Sequence, residues 1–503
     1  MQREKYRRIL EFLKNPPRWL EILLWVLVIA SAIGIRVFLI HRLPVALWSK
    51  DAGSYANSAF HWVHTGQWAT DPRRGAIYSL LIAACTKATD SINSVMVTQH
   101  ALGAIAVIVA IIALRAMCGR AALIPFALCS YAYAVYGLPI YLEQLIRNET
   151  LLFFFSSIAF STWLFEIKWK QPHWLWLSGI SAGLCMLTKP VFHPFAVMVV
   201  VACIWLHRRE RLTAVKRIAI FIVAFALPFA SVKMLNALTI HNRPPEPQAG
   251  ILLYGRTAQF TDLEGGIEPE IKGQIRDEIL YYRQHLNLGN NWILKQSVVP
   301  HLQRILYAQG KLPADLEKLC KRLAFEAIKT HKLEYAKQVL HDLNQVNFKQ
   351  ASRVDSPKYT DLASAKRTLV SRNERDPLIH VHETTAVLDA RMPPAIDAHA
   401  ARKVFSFYHH WANSAWLFRV VPVFLTTLIL PLLVFFRRDE TQPWWLGAAA
   451  LWFFTMVLLC TVGRPLDRYV IPVVPVMFWT LSAGVIFLWE RLLILFEKKI
   501  EGR

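Results

Sequence analysis

Apolar residues along this chain come in long unbroken runs, not in the two-residue or three-to-four-residue alternation of a soluble fold. Runs of about 16 to 22 nearly uncharged residues lie near 19–40, 94–114, 121–140, 150–167, 173–188, 191–206, 217–237, 416–436, 444–463 and 469–489, the length and character expected of helices that cross a hydrocarbon core. Between 238 and 415 the pattern changes. Pro313 to Leu343 carries Leu316, Leu319, Cys320, Leu323 and Ile328 near helical spacing, which predicts an amphipathic helix. The stretch before it, with Gly265-Gly266 and several prolines, is expected to be loop. No internal repeat of fixed period is visible.

One apolar stretch decides the topology. Ala76 to Ala88 would reach only about 20 Å as a helix, against a core of about 30 Å. Counting it as a span inverts everything downstream, so loop charge can arbitrate. If it is excluded and the N-terminus lies inside, Arg3, Lys5, Arg7, Arg8, Lys14 and Arg18 share one side with Arg115, Arg120, Lys168, Lys170, the cluster from Arg208 to Arg217, Arg437, Arg438, Arg491, Lys498 and Lys499. That is the positive-inside arrangement. The expected architecture is therefore an all-α polytopic membrane protein of about ten spans with both termini cytoplasmic. Segment 76–88 is expected as a juxtamembrane helix on the outer face. The first loop (41–93), a short loop (139–149) and a long, mainly helical loop (241–415) then lie outside. They divide the chain into an N-terminal module (1–240), the long loop (241–415) and C-terminal spans (416–503).

Composition agrees and narrows the function classes. The 503 residues are 54% hydrophobic and only 18% charged, against about 25% charged in soluble domains. The formal net charge of +22 invites a nucleic-acid reading, but 241–415 holds 24 Lys and Arg against 19 Asp and Glu, leaving the rest of the excess to termini, short loops and spans. There it reads as topology signal, and no nucleic-acid partner is expected. Of seven cysteines only Cys320 falls in the long polar stretch, so no disulfide framework is expected there. Trp19 to Leu39 follows a basic N-terminus without a small-residue cleavage site and reads as a retained anchor. No phosphate-binding glycine loop occurs, which argues against an ATP-driven pump.

Acids and bases at the expected outer surface carry the chemistry. Asp51 lies about ten residues after the first span, with Tyr55 on the same helical face. Glu143 and Glu149 bracket the next outer loop, and Glu149 opens a span, where a helix N-terminus favours a carboxylate. Arg73, Arg74, Arg147, Lys189, Arg464 and Arg468 fall at the same surface, where the positive-inside rule disfavours cations that have no task. Cations facing one or two carboxylates suit a lipid-linked phosphate beside a general base. The plainer reading of each is a solvated loop acid, a helix N-terminal charge, a snorkelling Lys189, or a local pair such as Asp467 with Arg468.

The residues also resemble a known family. Asp51-x3-Tyr55-x3-Ala59 and Gly66-Gln-Trp resemble the first outer loop of GT-C glycosyltransferases, within which the nearest likeness is to the lipid A aminoarabinose transferase, protein O-mannosyltransferase and Rgt-type group. Asn148-Glu-Thr-Leu-Leu-Phe153, Gly183-Leu-Cys-Met-Leu-Thr-Lys-Pro190, Ala324 to Tyr335, and Asp467-Arg-Tyr-Val-Ile-Pro-Val-Val-Pro475 resemble later motifs of that superfamily in the same order. This chain departs from the pattern at Lys50-Asp51-Ala52, where many relatives carry Asp-Glu, and at Arg73-Arg74-Gly75, where Pro-Pro is usual. The resemblance implies a GT-C-like bundle and transfer of a sugar from a polyprenyl-phosphate donor to a lipid, glycan or protein acceptor at the periplasmic face of a bacterial inner membrane. Asp51 would be the general base or would orient the acceptor hydroxyl. Glu149 would support it by orientation or by helping to hold a divalent cation, the one cofactor implied. Lys189 and Arg468 would contact the donor phosphate, with Arg464, Arg147, Arg73 and Arg74 as further participants and Tyr55, Glu143 and Tyr469 as accessories. Two other classes fit the same placement: an O-antigen ligase or polymerase using a diphosphate-linked glycan, and a non-catalytic transporter of lipid-linked sugars.

Overall fold

The computed structural model describes residues 2–44, 46–47, 52–66, 75–189, 193–237, 249–285, 292–311, 313–344 and 474–501. The expected spans 416–436 and 444–463 lie outside the described residues. No strand occurs among the described residues; the one β-type feature is an isolated parallel bridge between Leu47 and Leu145.

A basic amphipathic helix, α1 (Gln2–Lys14), leads into the first long apolar helix, α2 (Arg18–Arg42). Two short helices follow, α3 (Ala52–Thr65) and α4 (Ala76–Thr89), and then α5 (Asn93–Met117). The next apolar run is broken into α6 (Leu123–Ala134) and α7 (Gly137–Glu143), with Pro139 placed in the first turn of α7, where its missing N–H costs nothing. Helices α8 (Glu149–Trp169), α9 (His173–Thr188), α10 (His193–Leu206) and α11 (Arg211–Ala237) complete this part. Among the described residues six helical stretches are long and apolar enough to cross a membrane: Arg18–Arg42, Asn93–Met117, Arg120–Glu143, Glu149–Trp169, Arg211–Leu235 and Val474–Glu501.

Ion pairs fix the relative directions. At one end of the bundle Arg115, late in α5, pairs with Glu21, early in α2, at 2.7 Å, and Arg217 pairs with Glu166. At the other end Arg36, late in α2, meets Glu143 at the end of α7 and faces the start of α5. The segment that follows α2 also reaches the start of α5, the backbone N–H of Ala46 donating to Asn93 Oδ1 at 3.0 Å. Helices α3 and α4 between them are therefore an excursion at that end of the bundle. The 14-residue α4 packs against α3, α5 and α9, which agrees with the juxtamembrane helix expected at 76–88.

Residues 249–344 form a helical unit with its own core: α12 (Ala249–Thr257), α13 (Pro269–Gln274), α14 (Arg276–His285), α15 (Trp292–Ala308), α16 (Pro313–Thr330) and α17 (Lys332–Asn344). Tyr254, Ile275, Ile279, Leu302, Leu319, Cys320 and Leu323 are buried together. Burial pushes the Cys320 thiol up to about 12, which keeps it a neutral packing group. The expectation of loop in the first part of this segment needs correcting, because α12 to α14 occupy much of it. The reason is tertiary: Glu317 of α16 accepts from the backbone N–H groups of Gly250 (2.7 Å) and Ile251 (3.0 Å), satisfying the first turn of α12 from 66 and 67 residues away. The last described helix, α18 (Val474–Glu501), returns to the bundle, where Phe478 stacks on Tyr133 at 4.0 Å and Lys14 meets Glu497 at 2.6 Å.

Candidate functional site

The turn from α7 to α8 is the most heavily tied segment described. Gln99 donates through Nε2 to the carbonyls of Glu143 (2.7 Å) and Leu145 (2.8 Å). Gln144 Nε2 donates to Leu43 O at 2.9 Å, and the Leu47–Leu145 bridge adds two backbone bonds, Leu47 N to Gln144 O and Ile146 N to Leu47 O, both 2.9 Å. Beneath the turn the Glu143 carboxylate, with 0% of its side chain exposed, accepts a two-pronged contact from Arg36 (Nε 2.8 Å, Nη2 2.7 Å) and faces His100 Nδ1 at 2.8 Å. His100 Nε2 lies 3.0 Å from Gln144 Oε1. Gly103 makes room for this cluster, since a Cβ there would stand 1.9 Å from Glu143 Oε1. Glu143 is therefore fully engaged inside the bundle and acts on the turn, not on a ligand outside it.

Six residues later Glu149 opens α8, its side chain 3% exposed. Lys189, just past the end of α9, brings its Nζ to 3.5 Å from Glu149 Oε1 and keeps 20% of its side chain exposed. Asn148 ties the two elements together by donating to Thr188 O at 3.1 Å. The start of α4 presses on the same corner. A Cβ on Gly75 would lie 2.2 Å from Leu187 O, so only glycine allows that approach. One turn further, buried Tyr78 donates to Gln99 Oε1 at 2.6 Å and meets the ring of Tyr55 edge-on, centroids 5.0 Å apart. Burial pushes the Tyr78 phenol well above its ordinary value, and Tyr55 and the Glu149 carboxylate add to the shift. Tyr78 is thus a neutral donor. Arg147 is buried in the same turn, 4% exposed.

Of the residues expected at the site, the structure gathers Tyr55, Arg147, Glu149 and Lys189 at one end of the bundle and places Glu143 beneath them. Asp51, Arg73, Arg74, Arg464, Arg468 and Tyr469 lie outside the described residues. Ala52, the residue after Asp51, belongs to the buried cluster that contains Tyr55, Tyr78 and the two neighbours of this turn, Ile146 and Leu151. Among the described residues no three His, Cys, Asp or Glu side chains converge to hold a metal ion. A carboxylate, an ammonium, a guanidinium and a neutral phenol gathered at a helix N-terminus form a polar corner with one cation in excess in an otherwise apolar bundle. Its cations match an oxyanion, and its acid can orient or deprotonate a hydroxyl.

No family model and no curated protein sequence matches the chain. Several solved structures are similar to it at low identity. The apo oligosaccharyltransferase of Archaeoglobus fulgidus aligns over 95% of this chain and 52% of its own, at 12% identity and a TM-score of 0.44. ArnT from Cupriavidus metallidurans bound to undecaprenyl phosphate aligns over 92% of this chain and 76% of its own, at 12% identity and a TM-score of 0.32. The archaeal oligosaccharyltransferase AglB from A. fulgidus, in complex with an inhibitory peptide and a dolichol-phosphate, aligns over 90% and 57%, at 10% identity and a TM-score of 0.34. The chain spans about half the length of the archaeal enzymes.

Sequence inspection passed over Arg36, Tyr78, Gln99, His100 and Gln144. One signal was available: Arg36 is the one charge between Ile22 and Ile40, and a charge inside a span is expensive unless paired. Its partner, 107 residues away, carries no local mark.

Proposed function

We propose that this chain is a membrane glycosyltransferase that moves a sugar from a polyprenyl-phosphate donor to an acceptor hydroxyl at the end of the bundle where α7 meets α8. The pair of buried Glu149 with half-buried Lys189 at 3.5 Å, beside Arg147 and Tyr78, is the observation that carries the reading. Burying a carboxylate and cations together is costly, and a structural role alone would be met as well by apolar packing.

In the reaction the acceptor oxygen attacks the anomeric carbon while the bond from that carbon to the phosphate oxygen breaks. Asp51 takes or orients the acceptor proton, and Glu149 keeps Lys189 and the acceptor in register. The negative charge gathering on the leaving polyprenyl phosphate is met by Lys189 and Arg147, joined by Arg468, Arg464, Arg73 and Arg74. One direct displacement inverts the anomeric centre. The periplasmic side of a bacterial inner membrane is the setting, with a lipid, glycan or protein as acceptor. The test is transfer by the purified chain from synthetic polyprenyl-monophosphate and polyprenyl-diphosphate sugars, with Asp51→Asn and Glu149→Gln beside it. Turnover of the monophosphate donor that is lost in both variants supports the reading. Turnover of the diphosphate donor alone, or undiminished transfer by Asp51→Asn, overturns it.

A further inference from the structure

Helix α16 has two unlike faces. Leu316, Cys320, Leu323 and Ala327 are buried in the core of the helical unit. Lys318, Lys321, Phe325 and Lys329 lie on the other face at i, i+3, i+7 and i+11, and all four are exposed. A basic helix face is ordinarily just a wetted surface. Here it is one wall of a groove of about 880 Å³, closed on the other side by the loop at Ile267, by α13 and by the end of α15.

Two of the three acids of that groove are committed to basic partners, and the third, Asp315, lines it from the first turn of α16. Glu268 pairs with Arg322 at 2.8 Å; Glu326 pairs with buried Lys272 at 2.7 Å and accepts from the backbone N–H of Ile267 at 2.8 Å. Lys318, Lys321 and Lys329 make no ion pair among the described residues, and half-buried Ile267 and exposed Phe325 supply apolar surface between them. Solvation accounts for the lysines, but it does not account for a concave apolar strip bordered by them. The volume lies in the range of about 300–1,000 Å³ usual for pockets that enclose a single small molecule. A bilayer surface would call for a flat or convex basic face instead.

We propose that this groove binds one anionic amphiphile, a phosphate-bearing headgroup attached to an apolar body, with the phosphate on the α16 lysines and the apolar part against Phe325 and Ile267. This goes beyond the transfer reading and does not depend on it, since no wall of the groove comes from the Glu149–Lys189 corner.

The experiment uses the full chain in phosphatidylcholine nanodiscs, with dioctanoyl phosphatidic acid as probe and dioctanoylglycerol and inorganic phosphate as controls. Saturable one-to-one binding of the phosphatidic acid is expected, at least tenfold tighter than either control. The triple variant K318Q/K321Q/K329Q should weaken it about tenfold, the combined effect of three exposed charge contacts, and Phe325→Ser should weaken it with the phosphate contacts intact. Circular dichroism checks that the variants, all at exposed positions, keep their helices. No saturable binding, equal affinity in the triple variant, or equal affinity for phosphate alone would overturn the proposal. So would a response seen only with vesicles of anionic phospholipid, which would make the groove a membrane contact.

Discussion

Replacing Arg36 by Met tests whether the α7–α8 turn is held from inside the bundle. Arg36 supplies two of the three side-chain nitrogens within 2.8 Å of the Glu143 carboxylate, which has 0% of its side chain exposed. Methionine fills similar space and supplies no donor, so the carboxylate keeps only His100. Removing one partner of a buried ion pair costs about 3–5 kcal/mol. Helices unfolded in detergent find substitute partners, which favours the lower end, about 3 kcal/mol. Glu143→Leu alone leaves Arg36 uncompensated and should cost a similar amount. The double variant leaves no buried charge unpaired and should cost less than either single, a coupling of about 3 kcal/mol or more. The assay is SDS-induced unfolding of the purified chain followed by circular dichroism, on wild type, both singles and the double. If Arg36→Met costs under about 1 kcal/mol, or the two singles simply add, the cluster is not the anchor described and the account of the turn fails.

Gly103→Ala would push a methyl to 1.9 Å from Glu143 Oε1 and should destabilise by about 1–3 kcal/mol, whereas Gly119→Ala, where a Cβ meets nothing within 4 Å, should be near neutral in the same unfolding assay. Tyr78→Phe leaves Gln99 Oε1 without its 2.6 Å donor and should cost about 1–3 kcal/mol at neutral pH. Because burial raises the Tyr78 phenol above 10.0, the native state holds a proton that the unfolded state releases; that stabilisation is complete below pH 10 and falls away above it, so the stability gap between wild type and Tyr78→Phe should narrow as pH rises past 10. Lys189→Met removes the cation 3.5 Å from Glu149 and should lower transfer from a monophosphate donor by about a hundredfold, as loss of one stabilising donor does; Lys189→Arg should recover part of it, and equal loss in both would refute charge stabilisation as its role.

Apolar run length placed α2, α5, α8 and α11 within a few residues of where the structure has them, because a membrane leaves a helix of that length little alternative. The short run at 76–88 is a 14-residue helix, α4, as its length led one to expect. Local pattern could not reveal what tertiary contact decides. Helix α12 lies in a stretch rich in proline and glycine, yet it forms because Glu317 satisfies its first turn from another helix. At the site, Glu149 and Lys189 stood out as charges at helix ends. Glu143 stood out for the same reason, but its environment could not be read, since Arg36 and His100 sit 107 and 43 residues away in apolar helices.

The break between α6 and α7 has a mechanical consequence. An uninterrupted rod from residue 120 to 143 would pass any tug at the mouth of the bundle straight to the opposite surface. With the rod broken near Val135 and Tyr136 and α7 riveted to α2 and α5 through Arg36, Gln99 and His100, force applied at Glu149 is borne sideways by those neighbours. The far half of the segment packs separately, against α2 through Trp25 and Phe126 and against α18 through Tyr133 and Phe478.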